Sequence, residues 1–319
     1  MLYPETIVTH LPRTFSDHCP VLIELIGSKT CVTNKPLCFH TMWLLHLQFP
    51  KVVEEAWARD RSLPSAISNF TTRVKEWNYE VFGNLFARKK RVLARLNGVQ
   101  KALACNPSDS FLRLENILIK ENAMIRLQEK EFWALKSRLN VATFRDRNTS
   151  YFHITTVVRR QRNKIRCIMD GTSEWIYDEV EIKDHIQYGF SKLYTSEMCM
   201  ASIESPVANF SCCMLSEEER RWMGREVDDE DIRIALWSFK PFKAPGLDGL
   251  NAAFFQYFWH DVQASICQEV KKAFTLGSIP EFLNTTFITV IPKCNNPESL
   301  ANYKPISLCN SVYKIISKV

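Results

Sequence analysis

The chain has 319 residues, of which 46% are hydrophobic and 24% charged, and its formal net charge is +6. That is globular composition, with length for about two domains of ~150 residues. It contains no apolar run of about 18 residues that could span a bilayer and no signal-type run near its start, so no membrane partner is expected and the location is expected to be nuclear or cytoplasmic.

Eleven cysteines are scattered without a Cys-x-x-Cys pair or a Cys/His array at zinc spacing, and the adjacent Cys212 and Cys213 form no ligand pattern. They read as reduced thiols that pack as small hydrophobes, with no metal expected. The charge is uneven. Residues 136–166 hold Lys136, Arg138, Arg145, Arg147, Arg159, Arg160, Arg162, Lys164 and Arg166 against Asp146, nine minus one or +8, which leaves −2 for the rest.

In chain order, residues 20–26 form a short branched apolar run closed by Gly27 and Ser28, which predicts one buried strand. Residues 30–69 mix Phe39, Trp43, Phe49 and Trp57 with prolines and have helical character only over 52–58, which predicts a loosely structured connector. From 84 to 104, Leu85, Val92, Leu96, Val99 and Leu103 recur at helical spacing, with Arg88, Lys89, Lys90 and Arg91 crowding the exposed side; Asn106-Pro107 stops this helix. Ser108 or Asp109 then caps a second helix with Leu114, Leu118, Ile125, Phe132, Leu135 and Leu139 on one face, interrupted by Glu121 and Gln128. The two make an antiparallel hairpin whose long helix covers about 45 Å at 1.5 Å per residue.

Further along, Asp170-Gly171 reads as a turn, 174–177 as a short strand, and the residues up to about Leu193 as an amphipathic helix. Asp228 is an N-cap with Asp231 at the third helical position, and Ile232, Ala235, Leu236 and Phe239 make an apolar face. Lys240-Pro241 ends that helix, Pro245-Gly246 makes a turn, and one helix runs from about Ala252 until Gly277 stops it. Residues 287–291 predict a buried strand closed by Pro292.

The most specific strings are Lys243-Ala244-Pro245-Gly246-Leu247-Asp248-Gly249, then Ile291-Pro292-Lys293, then Tyr303-Lys304-Pro305-Ile306-Ser307-Leu308. In that order and spacing they resemble the opening of the reverse transcriptase domain of LINE-type, non-LTR retrotransposons, whose usual strings are Lys-Ala-Pro-Gly-Pro-Asp-Gly, Ile-Pro-Lys and Tyr-Arg-Pro-Ile-Ser-Leu. The resemblance extends over nearly the whole chain. Residues 77–84, 132–140 and 146–149 before Phe152-His153 look like the connector between nuclease and polymerase in plant-type elements, and residues 10–13 with 16–20 are similar to the last motif of the apurinic-type endonuclease.

By that resemblance His18 would act on the scissile phosphate or its attacking water, and Asp17 would help organise a divalent metal. The earlier acidic and asparagine motifs are not in the chain, so this endonuclease remnant is expected to be inactive. The complete family enzyme implies Mg²⁺ held by palm aspartates that follow the third string, and the chain ends eleven residues past Leu308, so no cofactor is expected on these residues alone. A reading frame continued downstream would be expected to carry an aromatic-x-Asp-Asp string. The adjacent Asp228 and Asp229 read as helix-start residues instead.

Lys293 and Lys304 fall where the fingers present cations to nucleotide and template; Lys304 keeps the charge of the usual Arg without its bidentate fork. Both also fit as solvated surface lysines. Arg145, Arg147, Arg159, Arg160, Arg162, Lys164 and Arg166 are candidates for weak, sequence-indifferent contact with RNA or DNA, with Tyr151 and Phe152 available to stack on bases, or else form a solvated face. Phe15 for Gly, Leu247 for Pro, and residues 141–145 for a Trp-Leu-x-x-Gly segment depart from the family pattern and fit a decayed copy.

The fold class expected is α+β, predominantly helical: 1–27 an endonuclease-like remnant, 28–83 connector, 84–140 helical hairpin, 141–214 basic connector, and 215–319 the fingers of a right-hand polymerase fold, truncated before the palm. The function implied is that of a catalytically inactive fragment of an RNA-directed DNA polymerase. The alternative is a nonenzymatic nucleic-acid-binding or helix-pairing protein derived from a retroelement.

Overall fold

The computed structural model describes residues 7–10, 21–24, 37–57, 62–138, 149–195 and 215–319. Within the first unit, Met1–Pro36, strands β1 (Ile7–His10) and β2 (Val21–Glu24) pair antiparallel from Ile7 opposite Glu24 to His10 opposite Val21. The strand expected over 20–26 therefore forms, with a partner that the apolar pattern alone does not reveal.

The second unit, Leu37–Val319, is mostly helical. It opens with a 3-10 turn (Thr41–Leu45), α1 (Phe49–Ala56), α2 (Leu63–Trp77) and one turn of π-helix (Asn78–Phe82) that ends at Gly83 in the left-handed region. The expectation of a loose connector over 30–69 is overturned here. Pro50 and Pro64 sit in the first turns of α1 and α2, where a missing N–H costs nothing, so they start helices instead of breaking them. Phe39, Trp43, Phe49, Val53, Trp57 and Phe70 are all buried in the main core.

The hairpin follows as expected. Asn84 caps α3 (Leu85–Cys105) by accepting from the N–H groups of Phe86 and Ala87, and Ser108 caps α4 (Asp109–Ser137). At 1.5 Å per residue α4 is about 44 Å long. Across the pair, Lys89 Nζ lies 2.5 Å from Glu129 Oε2 and Gln100 Nε2 donates to Glu115 at 2.9 Å. Gln128, expected to interrupt the apolar face, is buried in it with its Oε1 unpartnered.

Helix α5 (Thr149–Asn163) packs on α4. The short hairpin of β3 (Ile168–Met169) and β4 (Trp175–Ile176) turns at Asp170-Gly171, where the Asp170 carboxylate accepts from the N–H groups of Thr172 and Glu174. Asp178 then caps α6 (Glu179–Tyr194). After α7 (Glu217–Met223), α8 (Asp229–Trp237) starts on a reciprocal cap between Asp228 and Asp231, as the sequence predicts. The single helix expected from Ala252 is two: α9 (Ala252–Tyr257) and α10 (Trp259–Leu276) break at Phe258, whose backbone leaves the helical region at φ −101° and ψ 24°. Gly277 ends α10 at φ 62°.

A short α11 (Glu281–Asn284) leads into β5 (Phe287–Pro292), paired antiparallel with β6 (Tyr303–Leu308), and α12 (Ser311–Ile316) follows. The buried strand expected at 287–291 is half open: Phe287 and Ile288 are 41% and 49% exposed, because the sheet has two strands and only part of one face is covered. That cover is a small second core in which Ile168, Ile182 and Tyr303 meet Val290 and Leu300, joining β3, α6 and the β5–β6 ribbon.

The main core is centred on Phe254 of α9. Its ring lies 5.3 Å from Phe39, 5.7 Å from Trp57 and 4.8 Å from Phe70, and Trp57 Nε1 donates to Ser265 Oγ of α10 at 2.9 Å. Phe254→Ala is expected to cost about 3–5 kcal/mol, whereas Leu47→Ala, at 98% exposure, should stay within about 0.5 kcal/mol. Urea denaturation of both variants checks this.

Candidate nucleic-acid interface

Residues 243–249 form a loop that the chain clamps from two sides. Asn310, just past β6, accepts the Asp248 N–H on its Oδ1 at 3.3 Å and donates from Nδ2 to the Phe282 carbonyl at 3.0 Å. Ser311 Oγ donates to the Leu250 carbonyl at 2.8 Å, and the Phe39 N–H donates to the Gly249 carbonyl at 2.9 Å. Two glycines are required by this closure: a Cβ on Gly246 would collide with Asn310, and Gly249, at φ +73°, lies against the Leu37 carbonyl. The first sequence string is thus tied to the residues that directly follow the third, more than sixty positions later. The loop's role in this geometry is architectural.

Asp248 is the charged group inside the clamp. Its Oδ1 accepts the Leu250 N–H at 3.0 Å, while Oδ2 is sealed from solvent without a partner. Burial pushes the carboxyl up to about 6, against the lowering influence of the Leu250 N–H and the Lys314 charge. The folded protein therefore binds this proton more tightly than the unfolded chain. Stability from this group is present at low pH, falls as pH rises between about 4 and 6, and above that is reduced by about 3 kcal/mol. Asp248→Asn, which keeps the acceptor for Leu250, is expected to be more stable than the parent at pH 7 and to lose that advantage near pH 4, as read by melts across the range.

The two fingers lysines are placed differently. Lys293 Nζ donates to the Ala301 carbonyl at 2.8 Å and its N–H to the Asn302 carbonyl, so its ammonium helps close the β5–β6 loop. Lys304 sits on β6 opposite Ile291, exposed, with no hydrogen bond or ion pair among the described residues.

The basic cluster also divides. Arg145 and Arg147, like Asp17 and His18, lie outside the described residues. Arg159, half-buried on α5, donates through Nη1 to the Ser137 carbonyl at 2.9 Å and through Nη2 to the Lys136 carbonyl, satisfying the open C-terminal end of α4. Arg160, Arg162, Lys164 and Arg166 are exposed; Arg166 also reaches Gln161 Oε1 at 3.2 Å. Phe152, offered by the sequence as a stacking ring, is a core residue and cannot stack on a base. Tyr151 is exposed, and with Ile154 and Val158 it forms an apolar line at i, i+3, i+7 beside Arg162. The sequence reading missed α5 itself, although Tyr151, Ile154 and Val158 already carried the helical period. Contacts of α5 with β5 bring its cations onto the same assembly as Lys304.

The Mg²⁺ implied by the resemblance does not fit the adjacent aspartates. Asp228 is committed to the Asp231 N–H at 2.8 Å, and Asp229 holds Lys271 Nζ at 2.6 Å, which keeps its carboxyl below the usual range. Among the described residues, no helix is long and apolar enough to cross a membrane. Arg159→Ala is expected to destabilise the chain by about 1 kcal/mol through the lost α4 cap, and Arg160→Ala to leave it within about 0.5 kcal/mol; chemical denaturation distinguishes the structural from the available cation.

No family model matches the chain. It is 22% identical over 329 aligned residues to the Transposon TX1 uncharacterized 149 kDa protein of Xenopus laevis, an alignment covering 95% of this chain and 24% of that protein. The chain thus spans about a quarter of the length of the curated relative it matches.

Proposed function

We propose that the chain is the stretch of a plant-type LINE reverse transcriptase polyprotein that runs from the end of the endonuclease, through a helical connector, into the fingers of a right-hand polymerase fold. Its own contribution is to hold RNA or DNA weakly and without sequence preference, and it does not add nucleotides by itself. The observation that carries this reading is the arrangement of the strings: β5 and β6 pair the second with the third, Ile291 opposite Lys304 and Pro292 opposite Tyr303, and Asn310, two residues past the third, accepts the N–H of Asp248 in the first. Nucleotidyl transfer needs two metals about 4 Å apart on carboxylates from separate strands, and Asp228 and Asp229 are engaged elsewhere. Arg160, Arg162, Lys164, Arg166 and Lys304 supply exposed positive charge for phosphate. Nuclear or cytoplasmic location and dependence of the complete enzyme on Mg²⁺ belong to the same reading.

A second reading, a nonenzymatic protein that pairs through the hairpin, is favoured by the exposed Leu112, Ile117, Ile119, Met124 and Leu127 on α4. One assay weighs the first reading against its failure. The purified chain is mixed with Mg²⁺, nucleotides and a primer on a homopolymer RNA template, and followed for both retention and extension. Retention that collapses as salt rises, with no extension, is the expected result; EDTA-sensitive extension overturns the inactive reading, and binding indifferent to salt overturns the phosphate contact.

A further inference from the structure

Helix α3 carries charge that its own fold does not use. It holds Arg88, Lys89, Lys90, Arg91, Arg95 and Lys101 and no acid, whereas α4, its partner in the hairpin, holds five acids and five bases. Two of the six cations are consumed internally: Lys89 pairs with Glu129, and Arg88 donates to the Phe82 carbonyl at 3.4 Å while lying over the Phe82 ring. Lys90, Arg91, Arg95 and Lys101 are exposed, with no hydrogen bond or ion pair among the described residues. Arg91 and Arg95, four apart, repel one another along the helix. A merely solvated face would gain by mixing signs, as α4 does.

The shape of this face selects the partner. At 100° per residue, Lys90 and Lys101 share the outer line of α3 with Ala87, Ala94 and Gly98, opposite the buried Leu85, Val92 and Val99. A Cβ on Gly98 would meet nothing within 4 Å, so no packing demand puts a glycine in mid-helix. From Lys90 to Lys101 the face runs about 16 Å at 1.5 Å per residue, and after Phe86 at its start α3 has no aromatic ring to stack on an unpaired base. A slim cationic helix without stacking rings suits a double helix whose groove admits it. B-form DNA does so at about 12 Å, and the narrow major groove of A-form RNA does not.

We propose that α3 is a docking surface for duplex DNA, gripping its phosphates through Lys90, Arg91, Arg95 and Lys101. This surface is separate from residues 159–166 and from the fingers lysines, so it stands or falls independently of the polymerase reading. The test uses the whole chain and fluorescence anisotropy on a DNA duplex of about 20 base pairs over a salt series. Changing all four residues to Gln removes the charge while nearly preserving helix propensity. It is expected to reduce the slope of log Kobs against log salt by about 3.6, at about 0.9 per phosphate contact, and to weaken binding at least about tenfold near 0.1 M salt. Lys101→Gln alone should reduce the slope by about 0.9, which keeps the test decisive if the quadruple variant fails to fold. Gln at Arg160, Arg162, Lys164 and Arg166 is expected to weaken duplex DNA less than the α3 variant does. An unchanged slope in Lys101→Gln overturns the proposal. So does an equal loss, in the α3 variants, of affinity for a single strand, an RNA duplex or anionic phospholipid vesicles.

Discussion

Phe254 joins the two ends of the second unit. Its ring meets Phe39, Trp57 and Phe70 from the segment before the hairpin and Phe258 from its own turn, at centroid distances of 4.8 to 5.7 Å. Helices as short as the eight residues of α1 or the six of α9 have no stability of their own in water. They persist because each delivers large rings to a shared interior, where edge-to-face and tilted contacts add to burial. Trp57 illustrates the constraint: its indole N–H would be an unmet donor in that interior without Ser265, 208 positions later in the chain. The clamped loop inherits its position from this core, since its Gly249 carbonyl is held by the N–H of Phe39.

What the sequence made legible was local. Ser108, the Asp228–Asp231 pair and Gly277 each announce a helix end through chemistry completed within four residues, and the α3–α4 hairpin follows from one apolar stripe on each helix. The aromatic segment from Phe39 to Phe70 was illegible for the opposite reason: its rings answer to partners some two hundred residues away, so no short window has a clean period. The break at Phe258 was hidden because apolar residues continue through it on both sides. Burial of β5 was overread because a branched apolar run does not say how many strands will cover it.

Charge shows the same gap between count and availability. The excess in residues 136–166 looks like one binding surface when summed, yet several of its members serve the end of α4. Arg159 takes two carbonyls there, Lys136 lies 3.9 Å over the Phe132 ring, and Arg138 turns left-handed with its guanidinium held below the usual value by burial and by neighbouring Arg159. Positive side chains at a helix C-terminus are stabilised by its carbonyls, so part of the cluster is structural. On α3 the imbalance is the reverse: a run that resembles routine surface decoration retains four cations with no ion pair among the described residues.

The two remaining cationic surfaces differ in more than place. On α5, Arg162 continues the line of Tyr151, Ile154 and Val158, which adds an exposed ring and apolar bulk to the charge. On α3 the cations are separated by Ala94 and Gly98, which add almost no bulk. Phosphate attraction is common to both and confers no choice between nucleic-acid forms. Choice comes from what lies between the charges, because a ring can receive an unstacked base while a bare helix surface can only follow a groove. On the proposed reading, there is a physical reason to keep these surfaces on different helices, since one surface optimised for an unstacked strand would be compromised for a groove.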